Sequence, residues 1–162
     1  MQLKFRQRVF SWFDTYDITD GIGATVFSAK GKFSLWGHKL IILDNNGQEI
    51  GMLKECMMRI RPQFKVIING TLQGKIIKRI SLFRPKFKFT FNPWEVKGNL
   101  FAFDYQIVDG QQLVATVSKE LFHLSDTYTI DVVDPKDALL SLMVVLGIDI
   151  AKERKARRRS NH

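Results

Sequence analysis

The amino-acid sequence predicts a mainly β protein: a closed antiparallel β-barrel of about twelve strands, built from hairpin repeats and enclosing one C-terminal hydrophobic α-helix. Three observations lead there. Turn-forming pairs recur between alternating apolar stretches, similar segments recur every 23 to 24 residues, and a late apolar run has no polar face. The 162 residues suit one domain. With 45% hydrophobic and 25% charged residues the chain is neither disordered nor dominated by membrane spans.

The strands come first. Ser34-Leu35-Trp36-Gly37-His38-Lys39-Leu40-Ile41-Ile42 aligns without a gap on Ser81-Leu82-Phe83-Arg84-Pro85-Lys86-Phe87-Lys88-Phe89, and Arg61-Pro62-Gln63-Phe64-Lys65-Val66 matches Arg84 to Phe89. A further pair joins Phe10–Ile18 to Phe122–Ile130. Anchors at Ser11, Ser34, Met58 and Ser81 are 23, 24 and 23 residues apart, the length of one hairpin with its link. Asp20-Gly21, Asn46-Gly47, Asn69-Gly70 and Asp109-Gly110 supply residues that tolerate φ > 0, as hairpin turns require. Phe87, Phe89 and Phe91 alternate with Lys86 and Lys88, so one face is buried and the other wet. At ~11 residues per strand and turn, residues 2 to 133 hold about twelve strands, more than an open twisted sheet usually carries. Closure into a barrel follows, with Phe64 and Phe87 pointing in and Lys65 and Lys88 pointing out.

The helix comes last. Asp134 is an acidic N-cap, Pro135 suits the first helical position, and Asp137 faces the positive end of the dipole, which predicts a helix from Pro135 to about Ala151. Leu139, Leu142, Met143, Val145 and Leu146, with their neighbours, populate every side, so the helix must be surrounded. Ala138 to Ile148 is eleven residues, against the ~20 needed to cross a bilayer, so the surroundings are the protein's own strands. Residues 1–151 form the domain and 152–162 a basic tail. The N-terminus alternates apolar and basic residues and lacks the apolar core of a secretory signal. A cytoplasmic protein without a transmembrane segment is expected, with a peripheral position at the inner membrane surface. The lone Cys56 excludes an intramolecular disulfide framework and reads as a packed or link residue.

The repeated Phe-Ser-x-x-x-x-Lys-Leu-x-Ile pattern, together with the Phe122–Ile130 ending and the helix after it, resembles the LURP-one-related family. That family belongs to the tubby C-terminal-like superfamily, which also includes phospholipid scramblases. The resemblance covers Gln2 to about Ala151 and implies a twelve-stranded barrel around a C-terminal helix. It implies no catalytic motif to carry over, and it brings the phosphoinositide binding of tubby domains to mind.

Charge carries the functional expectation. Residues 54–97 hold eleven Lys/Arg against two Asp/Glu, and residues 98–151 hold two against eight. Arg61 and Lys65 occupy the repeat positions of Arg84 and Lys88, so Arg61, Lys65, Arg84, Lys86 and Lys88 are expected to share an outer patch. Lys152, Arg154, Lys155, Arg157, Arg158 and Arg159 add a basic tail. The patch predicts a non-enzymatic binding protein for anionic phospholipid or another polyanion, nucleic acid ranking behind lipid. Exterior lysines also serve solubility. The alternatives are a protein-interaction module with an unidentified protein partner, suggested by the charge asymmetry, and a small-molecule enzyme, which only the isolated His38, His123 and His162 would support. His38 reads as part of a link. A monomer with no cofactor and no bound metal is expected.

Overall fold

The computed structural model describes residues 1–7, 15–35, 37–57, 60–122 and 125–160; the side chains at 7, 33–34, 121–122, 125–126 and 153–160 lie outside that description. Twelve strands run in order: β1 (Gln2–Gln7), β2 (Thr15–Thr19), β3 (Thr25–Ser34), β4 (Gly37–Asp44), β5 (Glu49–Glu55) and β6 (Gln63–Ile68). They continue with β7 (Thr71–Arg79), β8 (Lys86–Phe89), β9 (Trp94–Asn99), β10 (Asp104–Asp109), β11 (Gln112–Phe122) and β12 (Ser125–Val132). Every strand pairs antiparallel with its sequence neighbour except β8 with β9, which are the two edges of the sheet. β1 pairs with β12, and the Met1 amino group donates to the Val132 carbonyl at 2.6 Å, so the two ends of the meander are tied together. The result is a nearly closed barrel with one seam.

The two ends of the barrel differ. At one end, here the turn end, the connections are short. Asp20 and Asp44 build the same five-residue device: each Oδ1 accepts from the backbone N–H groups two and four residues on, at 2.9 to 3.0 Å. Gly23 and Gly47 then take φ +89° and +78°, which glycine adopts without penalty. The left-handed glycine of the first turn is thus Gly23, not the Gly21 expected from the Asp-Gly pair, because the Asp20 side chain organises a longer turn. Asn69 and Gly70 form a two-residue turn with both φ positive. At the other end, the loop end, the β5–β6 and β7–β8 connections are longer, at seven and six residues. The anchors Ser11 and Met58, most of the Phe10–Ile18 repeat, His123 and His162 fall outside the described residues.

Period-two alternation sorts the walls. Gly31, Leu40, Leu53, Val66 and Gly74 face one another across β3 to β7 in one inward row. Phe64, Ile76 and Phe89 form the next, all buried. Phe87 is half-buried and packs on the same core, while Lys86 and Lys88 are exposed, as the repeat alignment requires. His38 lies in β4 opposite Phe33 rather than in a link.

A 3₁₀ turn, Pro135–Asp137, leads into helix α1 (Ala138–Ser160). Asp134 caps it, its carboxylate accepting from the Lys136 N–H at 3.1 Å. Leu142, Met143, Val145 and Leu146 are completely buried inside the barrel, and Leu139 is half-buried beside Gly51 of β5. Two glycines make room: a Cβ on Gly147 would lie 2.7 Å from Ile76 Cδ1, and one on Gly51 would lie 3.1 Å from Met143 Sδ. The helix enters at the turn end and leaves at the loop end. It continues nine residues past Ala151, to Ser160, further than expected, because residues 152–159 are good helix formers whose positive charge suits a helix C-terminus. Among the described residues no helix is long and apolar enough to cross a membrane.

Candidate anion-binding surface

The row next to Gly31–Gly74 points outward, because successive residues of a strand face opposite ways. It consists of Lys32, Lys39, Lys54, Lys65 and Lys75. The register pairs Lys32 with Lys39, Lys39 with Lys54, Lys54 with Lys65 and Lys65 with Lys75. Five lysines therefore stand side by side across five strands, spanning ~19 Å at the usual strand spacing. Like charges directly opposite one another destabilise a sheet by about 0.2–1 kcal/mol per pair. Lys136 pairs with Asp134 at 2.9 Å, and among the described residues no such ion pair involves any of the five lysines.

Of the residues predicted from the sequence, Lys65 sits in the middle of this row. Arg61 and Arg84 are exposed on the loop-end connections before β6 and β8, and Lys86 and Lys88 are exposed on β8. Lys32, Lys39, Lys54 and Lys75 escaped the sequence reading. With Lys65 between them, the five lysines are 7, 15, 11 and 10 residues apart, which has no period, and only register aligns them. The opposite wall is acidic, with Asp104, Asp109, Glu120 and Asp131 exposed on β10 to β12.

The tail divides. Arg154, Lys155, Arg157, Arg158 and Arg159 lie on the emergent part of α1, with side chains outside the described residues. Lys152 turns into the barrel mouth instead. Its Nζ donates to the Leu100 carbonyl at 2.6 Å and lies 3.3 Å from the centre of the Phe103 ring. Burial pushes the Lys152 ammonium down to about 8; Asp149 pulls it up, and Lys119 and Lys78 push it further down. Phe103 holds a left-handed backbone, φ +53°, uncommon for a bulky residue. Asn99 prepares that bend by accepting from the N–H groups of Phe101 and Ala102, both at 3.1 Å. The ring then packs edge-on to Tyr128 at 4.7 Å, with Lys119 Nζ 5.2 Å from it. Asp149 and Tyr105 are buried nearby, and burial, followed by the charges of Asp149 and Tyr128, raises the Tyr105 hydroxyl well above its ordinary value. This cluster latches the helix end to the β9–β10 connection, so Lys152 is engaged there and is not presented on the outer wall.

A basic-walled barrel threaded by its own C-terminal helix defines the class of protein. The sequence profile of the LURP-one-related family matches residues 1–149, and the chain belongs to that family. It is 25% identical over 150 residues to the uncharacterized protein YxjI of Bacillus subtilis (strain 168), covering 93% of each chain. An Arabidopsis thaliana protein solved by X-ray crystallography shares the fold, with a TM-score of 0.59 and 17% identity over 92% of this chain and 91% of that one.

Proposed function

We propose that the protein is a non-enzymatic binding module that associates with anionic phospholipid through its basic wall. The five-lysine row carries this reading. A register that opposes like charges four times costs stability, and an anionic surface relieves that cost by supplying the counter-charge. At ~1 kcal/mol per basic residue held near an anionic surface, the row alone supplies about 5 kcal/mol. The acidic wall across the barrel makes the molecule dipolar and turns the lysines towards a negative partner. Flotation of the full chain with phosphatidylcholine vesicles, with and without phosphatidylserine, tests it. Binding is expected only with phosphatidylserine, to fade as salt rises, and to be lost when Lys39, Lys54 and Lys65 are all changed to Glu. Equal recovery with both vesicle types would refute the reading.

A further inference from the structure

The loop end carries apolar side chains that nothing covers. Leu35, Ile60, Leu82 and Phe83 are 90%, 90%, 91% and 90% exposed, and Ile80 and Phe101 are also largely exposed. They come from the β3–β4, β5–β6, β7–β8 and β9–β10 connections, so every loop-end connection with described side chains contributes at least one. Scattered exposed apolar residues are ordinary, but six gathered on one rim, four of them at least 90% exposed, are not. The turn-end connections are richer in Asp, Asn, Gly and Gln; Ile22 is 92% exposed there, and Leu72, Leu113 and Val133 are exposed to a lesser degree, at 54%, 41% and 62%.

The basic residues lie directly behind these tips. On β3 to β6 the lysine row is one or two residues from the strand end, so it sits within about 7 Å of the rim. Arg61 follows Ile60, Arg84 follows Phe83, and the Arg-rich end of α1 leaves the barrel at the same end. An apolar element resting on a bilayer sinks ~5–10 Å into the headgroup boundary. Tips inserted to that depth put a collar ~7 Å behind them at the level of the phosphates. Charge complementarity thus selects an anionic bilayer as the occupant of this face.

We propose that the loop end is a membrane-docking face: Leu35, Ile60, Leu82, Phe83 and Phe101 enter the headgroup boundary of an anionic bilayer while the lysine row meets its phosphates. This rests on the lipid-binding reading above and adds depth and orientation to it.

Tryptophan reporters on the full chain test orientation. With phosphatidylserine vesicles containing brominated lipid, Phe83→Trp is expected to show quenching beyond that of the wild type, and Ile22→Trp, at the turn end, is expected to show none. Leu82→Ser and Phe83→Ser should each lower partitioning about tenfold, since 1.4 kcal/mol of lost apolar burial is a factor of ten. Both positions are exposed, so a cooperative melt should be retained; Leu35→Ser repeats the test on another connection. If the wild type floats and the lysine variant does not, but Phe83→Trp shows no extra quenching and the serine variants bind normally, end-on docking is overturned while lipid binding by the wall stands. If the wild type ignores anionic vesicles, both proposals fall. A dimer in sedimentation that Leu82→Ser or Phe83→Ser dissociates would make the rim a self-association face and overturn membrane docking.

Discussion

Truncating Leu142 to Ala should reveal how far the barrel depends on its helix. Leu142 is completely buried, and Met143 and Val145 beside it are equally enclosed, so the barrel wall can close little of the space left by three lost heavy atoms. Buried Leu→Ala changes cost ~2–5 kcal/mol, and the upper half of that range, about 4 kcal/mol, suits a site walled in on all sides. With an urea m-value of ~2 kcal/mol/M, the unfolding midpoint should fall by roughly 2 M. On heating, the same loss should appear as about 8–16 °C for a chain of this size. Leu139→Ala is the internal comparison: Leu139 is only half-buried, so its midpoint should fall by about half as much. Val145→Asp is the severe case, because an unpaired carboxylate inside the barrel costs several kcal/mol more and should abolish the cooperative transition. A Leu142→Ala midpoint within ~0.2 M of the wild type, or a cooperative melt retained by Val145→Asp, would show that the helix is not the core.

Two further outcomes are expected. The Lys152 amine has its folded-state value depressed to about 8 against an ordinary 10.5, so the stability linked to it is present above 10.5 and is lost as pH falls through 8. Unfolding free energy should therefore climb between pH 8 and 10, then turn down above 10 where the raised Tyr105 hydroxyl resists ionisation that the unfolded chain allows; Lys152→Met should flatten the climb, and an unchanged slope would refute this. Lys54→Glu converts two opposed like-charge pairs, with Lys39 and Lys65, into opposite-charge pairs and should stabilise the fold by about 0.5–2 kcal/mol in low salt. Added salt should raise the wild-type melting temperature more than the variant's, and parallel salt responses would show that the row is not strained.

What could be read in the linear chain is local. Asp134-Pro135 announced the helix, Phe87 and Phe89 announced their inward face, and the all-round apolar run at 138–148 announced that strands must wrap it, because capping, period-two alternation and the need to hide apolar surface act over a few residues. The outward position of Lys65, Arg84 and Lys88 was legible for the same reason, by repeat and parity. Tertiary structure decided the rest. Lys32, Lys39, Lys54, Lys65 and Lys75 become one feature only when register aligns five strands, and register is set by every hairpin and bulge between them. Lys152, indistinguishable in sequence from the arginines that follow it, is drawn inward because the helix phase and the left-handed Phe103 bring a carbonyl and a ring to meet it. The gathering of Leu35, Ile60, Leu82, Phe83 and Phe101 at one end has the same origin: in an antiparallel meander every second connection shares an end, so side chains distant in the chain become neighbours on one rim.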